Sequence, residues 1–334
     1  MPSRLAILSG CLFMVLALCV AAQGAELGVI EGDVVNGSGG DAPVADVAVT
    51  LLIWQEGELQ EEQTALTDAA GFFRFTDLET AGYVYRPIAE FEGITYGFEP
   101  RSFPPDETLI SVSLTVHETT TAEGTLIVDR AHVIITRDVD RLVVQEVHVF
   151  VNDSSRTYLG PSEDETQGTI RFVLPPDAAN IEWQGGFPSG SIALSPEGFN
   201  FDRPILPGAA QFTFSYTLPL AEDSYSIQKL FPYATRHVDV FAGSGAVTLN
   251  APQLTDAGPV AMMEGSFTHF SGEDLAPGTT LDLTVERVES PHEHPVSTTG
   301  GSKAPVGIII TVVVVLILAV LIYPFLRRRG RRAE

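Results

Sequence analysis

Short runs of alternating apolar and polar residues, cut roughly every 8 to 12 residues by Gly, Pro, Asn or Asp, most constrain how this chain can fold. Val47, Val49 and Leu51 alternate, as do Phe73 and Phe75, then Val112, Leu114 and Val116, and the run from Val143 to Val151. Phe212, Phe214 and Tyr216 repeat the pattern, as do Leu281, Leu283 and Val285. A period of two puts one set of side chains on one face of a strand. No helical period competes with it ahead of the C-terminal apolar segment. The chain reads as all-β, built of antiparallel β-sandwiches. About 280 residues between its two ends exceed one small sandwich and suit two.

The ends carry a different signal. Arg4 precedes an apolar run from Leu5 to Ala22, and Ala21, Ala22, Gly24 and Ala25 supply small residues for cleavage. Residues 1–24 read as a secretory signal peptide. Residues 305–326 read as a transmembrane helix, because Gly307 to Leu326 carries no charge and is long enough to span a bilayer. Arg327, Arg328 and Arg329, followed by Arg331 and Arg332, flank that run and fix the 327–334 tail on the cytoplasmic side. Residues 289–304, ESPHEHPVSTTGGSKA, read as a linker. The expected protein is single-pass and type I, in a plasma or inner membrane, with its N-terminal part outside the cytoplasm.

Charge and cysteine narrow the partners. Without the leader and tail, the chain has 13 basic and 42 acidic side chains, a formal charge of −29, and only Lys229 and Lys303 as lysines. Such a surface repels nucleic acid and anionic headgroups. Both cysteines, Cys11 and Cys19, lie in the leader. Disulfides, thiolate metal sites and a cysteine nucleophile are therefore excluded from the mature chain.

Polar threonines in HETTTAEGTLIV, residues 117–128, interrupt the strand rhythm and suggest a boundary. The first domain is expected over 25–117 and the second over 126–288. In the first, Gly32, Asn36, Pro43-Val44 and Val47-x-Val49-x-Leu51 lead into Thr67-Asp68-x-x-Gly71-x-Phe73-x-Phe75-x-x-Leu78. This resembles the carboxypeptidase-regulatory-like domain, a small sandwich related to transthyretin, over residues 28 to about 116. The resemblance implies a non-catalytic accessory or extracellular module. The residues agree on their own terms. Asp68 is placed to cap a turn, Gly71 to take a positive φ, and Phe73 and Phe75 to leave on one face. The second domain reads as a different sandwich, Ig-like or similar.

Candidates for chemistry are few. His292-Glu293-His294 has metal-ligand types but sits in the linker without a third fixed ligand. Glu56 to Glu62 and Glu163-Asp164-Glu165 lack the spaced pattern of a calcium loop. No catalytic fingerprint occurs: the His-x-x-Glu zinc pair that carboxypeptidases with such a domain keep in a separate domain is absent, and so is the Tyr-Arg-Gly-Ser ending of hydroxyisourate hydrolases on the transthyretin fold. The first domain has no lysine for an isopeptide bond. Asn36-Gly-Ser38 and Asn152-Asp-Ser154 are glycosylation sequons. Tyr83, Tyr85 and Tyr96 are the candidate contacts for a protein or glycan ligand. No catalytic residue, metal or cofactor is expected. The leading expectation is a non-catalytic, membrane-anchored module for binding or envelope structure. The alternatives are an accessory or assembly factor for a membrane complex and a carboxylate-based hydrolase.

Overall fold

The structure, a computed structural model, describes residues 27–161, 168–220, 223–262 and 265–288. The expected leader, linker, membrane segment and arginine tail lie outside those residues, as do His292-Glu293-His294 and Glu163-Asp164-Glu165. Among the described residues the chain is all-β, with one 3-10 turn at Gly37–Gly39 and no α-helix. No helix among them is long and apolar enough to cross a membrane. They divide into two compact units, 27–36 with 41–116, and 37–40 with 117–288.

The first unit holds β1 (Leu27–Asn36), β2 (Ala42–Pro43), β3 (Ala48–Gln55) and β4 (Glu58–Leu66). It continues with β5 (Phe72–Glu79), β6 (Tyr83–Phe91), β7 (Ile94–Gly97) and β8 (Leu109–Val116). One sheet centres on β1, which pairs antiparallel with β2 and β5 and parallel with β8. The other runs β4-β3-β6-β7 and is antiparallel throughout. Ile30, Val34, Phe73, Phe75 and Val112 from the first sheet share one apolar cluster with Val49, Leu51 and Ile53 from the second. Burying a phenylalanine is worth about 1.5–3 kcal/mol, so Phe73 and Phe75 are major contributors to this core.

The turn into β5 shows why the sequence folds this way. Asp68 Oδ1 accepts from the backbone N–H of Ala70 at 2.8 Å and of Phe72 at 2.9 Å. Gly71 takes φ 76°, and a Cβ there would lie 2.6 Å from the Val34 carbonyl oxygen. The buried Thr67 hydroxyl donates to the Val44 carbonyl and accepts from the Val47 N–H, tying the turn to the next sheet. Phe73, Phe75 and Leu78 then point inward while Phe72, Arg74 and Thr76 stay exposed.

The second unit begins with β9 (Thr119–Thr120), β10 (Leu126–Asp138), β11 (Arg141–Asn152), β12 (Thr157–Tyr158), β13 (Ile170–Val173) and β14 (Ala179–Gly185). Next come β15 (Ile192–Ser195), β16 (Gly198–Phe201), β17 (Gly208–Pro219), β18 (Ser224–Phe231) and β19 (Thr235–Gly243). β20 (Val247–Asn250), β21 (Thr255–Met262), β22 (Gly265–Leu275) and β23 (Thr279–Arg287) complete it. A seven-stranded sheet runs β14-β17-β11-β10-β19-β22-β21, beside three-stranded sheets β13-β16-β15 and β18-β23-β20 and the β9–β12 pair. All three larger sheets feed one core, dense in Phe150, Phe172, Phe199, Phe212 and Phe214. This is broader than the Ig-like arrangement expected, which spreads seven to nine strands over both layers. Its central β10–β19 contact is parallel and joins residues about a hundred positions apart. The threonine-rich 117–128 stretch contributes β9 to this unit, paired to β12.

Candidate functional site

Of the sequence-selected tyrosines, Tyr85 and Tyr96 are core residues and Tyr83 packs against the core. Tyr85 is 2% exposed and Tyr96 3%. The Tyr85 hydroxyl donates to the Glu79 carbonyl at 2.7 Å, and its ring meets Phe103 edge-on. Burial is the main cause that pushes its phenol up to about 12. Tyr83 is half-buried beside it, with ring centroids 6.3 Å apart. All three lie on the inward side of their sheet, because Tyr85 stands directly opposite the buried Ile53 and Tyr96 opposite the buried Ala89. Arg327, Arg328 and Arg329 lie outside the described residues.

The same register puts a different aromatic on the outside. Val49, Leu51 and Ile53 fill the core, so Thr50, Leu52 and Trp54 emerge on the opposite face of β3. Trp54 is flanked in its row by Leu59 of β4 and Val84 of β6, each its direct cross-strand partner. Leu59 is 49% exposed and Val84 38%, while Trp54 is half-buried between them. The next row reads Glu62, Leu52, Arg86, and the one after it Thr64, Thr50, Ile88, Gly97. The hydroxyls of Thr50 and Thr64 stand 3.2 Å apart, and Arg86 Nε donates to the Phe98 carbonyl. The result is a partly exposed apolar row with polar neighbours, on a sheet whose edge strand β4 carries Glu58, Glu61 and Glu62. The strand alternation that identified the core also located Trp54.

Two polar clusters in the second unit also escaped the sequence reading. Glu146 is fully buried on the core face of β11. It lies 2.7 Å from the Lys229 ammonium of β18 and 2.7 Å from His148 Nε2, and it accepts from the Tyr216 hydroxyl at 2.8 Å. Burial alone would push this carboxyl up, but Lys229 and His148 outweigh it and hold it down at about 2. Burial pushes the His148 imidazole down, against the opposing pull of Glu146. Lys229 also donates to the Val173 carbonyl of β13. Beside this group is a cavity of about 20 Å³ lined by His148, Phe172, Lys229 and Tyr233, room for about one water. Both Glu146 oxygens are engaged, so the group works as an internal clasp between three sheets.

The second cluster lies on the other face of the large sheet. Asp239 sits 3.3 Å from His132 Nε2 and 2.7 Å from His269 Nε2, with the Phe241 ring stacked on His269. Burial pushes the Asp239 carboxyl up, but the two imidazoles outweigh it and hold it below the ordinary range. Among the described residues no group of three or more His, Asp or Glu side chains is arranged to hold a metal ion. The acidic Glu56–Glu62 stretch is the exposed β3–β4 turn and edge strand. Asp138 pairs with Arg141 across the β10–β11 turn. In the second sequon, the buried Asn152 amide donates to the carbonyls of Arg156 and Ile205, which withdraws that nitrogen from glycosylation.

No family model matches the chain, and no curated protein matches it. Among solved structures, a candidate protease from Parabacteroides distasonis aligns with 50% of this chain and 41% of its own, at 9% identity and a TM-score of 0.35. A variant of an M1 zinc metallopeptidase from Deinococcus radiodurans, bound to a Tyr-Ser-Ala substrate, aligns with 48% of this chain and 42% of its own. That pair has 12% identity and a TM-score of 0.32. The chain thus spans less than half the length of either structure. Likeness at this level carries no functional argument.

Proposed function

We propose that this is a non-catalytic, membrane-anchored extracytoplasmic protein that presents two tandem β-sandwich domains for binding. The first is a carboxypeptidase-regulatory-like, transthyretin-related sandwich. The Asp68 cap, the positive φ of Gly71 and the inward Phe73 and Phe75 support that assignment residue by residue. The leader at 1–24, the charge-free run at 307–326 and the arginines after it support the anchoring.

The observation that carries the binding role is the row Leu59, Trp54, Val84. A sheet face that costs nothing to fill with polar residues instead presents a tryptophan between two exposed aliphatics. Tryptophan is the residue most enriched among interface anchors.

The mature chain lacks cysteine, so single-cysteine labelling tests the arrangement directly. Ser111→Cys, exposed on the other sheet, should react with a membrane-impermeant maleimide on spheroplasts, and Ala333→Cys only after permeabilisation. Labelling of Ser111→Cys only after permeabilisation would contradict the proposal.

A further inference from the structure

We propose that the outer face of the β4-β3-β6-β7 sheet docks a basic protein partner, with Trp54 as the central anchor. The inference rests on the binding role above and adds the chemistry of the partner.

Three observations select that occupant. The first is anatomy. Trp54, Leu59, Val84, Leu52 and Ile88 form an apolar centre, with Glu62, Glu90 and Arg86 around it. Apolar centre and polar rim is the usual layout of a protein–protein contact. The second is charge. Residues 27–116 carry 16 carboxylates against three arginines, Arg74, Arg86 and Arg101. Arg74 is paired with Glu31, and Arg101 lies over the Phe98 ring 4.6 Å from its centroid. The rim therefore attracts lysine and arginine and repels both a second copy of this chain and an anionic bilayer. The third is the immediate setting of the indole. Sugars present a hydroxyl at nearly every carbon and need hydrogen-bonding side chains beside the stacking ring. Trp54 instead has Leu59 on one side and Val84 on the other. Aliphatic flanks match a partner's apolar side chains better than a glycan.

The edge strand is not the docking element. β4 is bulged opposite Ile53 and Trp54 and carries Glu58, Glu61 and Glu62. Bulges and charges of this kind discourage strand addition. Contact is made by side chains on the face.

The test uses the full-length chain in its native membranes, with a photo-crosslinking amino acid at position 59, 84 or, on the opposite sheet, 111. Adducts at 59 and 84 but not at 111, mapped by mass spectrometry to one protein segment of net positive charge, are expected. Their yield should fall steeply in about 0.5 M salt, as expected for rim electrostatics. Trp54→Ala should weaken the contact by roughly 30-fold or more at unchanged protein level. Glu62→Gln with Glu90→Gln should weaken it while leaving the apolar centre in place. Adducts at 59 and 84 to a glycan, a lipid, an acidic protein or a second copy of this chain would overturn the basic-partner proposal and leave the binding role standing. Equal or absent crosslinking at 59, 84 and 111 would overturn both.

Discussion

The Lys229 ammonium lies 2.7 Å from Glu146 with both side chains sealed from solvent, joining β18 to the centre of the seven-stranded sheet. A buried pair of this kind is weak evidence for net stability but is costly to break. Lys229→Met should destabilise the second unit by about 3–5 kcal/mol, because it leaves the Glu146 charge unpaired. Glu146→Leu combined with Lys229→Met should recover most of that loss. Urea unfolding followed by circular dichroism reads both. Two single variants whose costs simply add in the double would show that the residues act separately.

Acid should weaken the same unit in two stages. The His148 imidazole is held down by burial, so the unfolded chain takes up its proton first. Its contribution is full above the ordinary histidine range and shrinks as pH falls below about 6.5. Glu146 is held near 2 against 4.5 in the unfolded chain. Its contribution, about 3 kcal/mol, is present above pH 4.5 and lost as pH falls toward 2. Melting temperatures from pH 7 to pH 3 should therefore drop monotonically, and His148→Phe should flatten the first part of the decline. A pH-independent melting temperature would contradict the buried-network account.

In the first unit the sensitive position is Gly71. Its φ of 76° favours glycine, and a Cβ would meet the Val34 carbonyl oxygen at 2.6 Å. Gly71→Ala should cost about 2 kcal/mol or more by strain and close contact together. Phe72→Ala, one residue on and 40% exposed, should change stability far less. Equal effects in chemical denaturation would mean that the turn does not direct β5 into the core.

How much of this was legible in sequence depended on distance along the chain. The inward set Phe73, Phe75 and Leu78 follows from local period two, and the Asp68 and Gly71 turn from residue chemistry. Trp54 was equally legible, since parity with Val49, Leu51 and Ile53 sends it outward. Tyr85 and Tyr96 turn inward because the β3–β6–β7 register sets them opposite the buried Ile53 and Ala89, a pairing that residue type alone does not reveal. Glu146 and His148 share the parity of Val144 and Phe150, which already hints at a charged pair in a core. Their partner Lys229 comes from another sheet 83 residues away, and no local pattern connects them. The parallel β10–β19 contact is hidden for the same reason. Local periodicity fixes faces, whereas sheet order depends on long-range packing.

The central claim is that the Leu59, Trp54, Val84 row is covered in the working protein. Oxidative footprinting with mass spectrometry, on intact cells and on the purified full-length chain, measures this directly. Trp54 and Leu59 should be several-fold less reactive in cells than in the purified protein, while the exposed Phe72 on the other sheet should react equally in both. Equal reactivity of Trp54 in cells and in isolation would contradict the account.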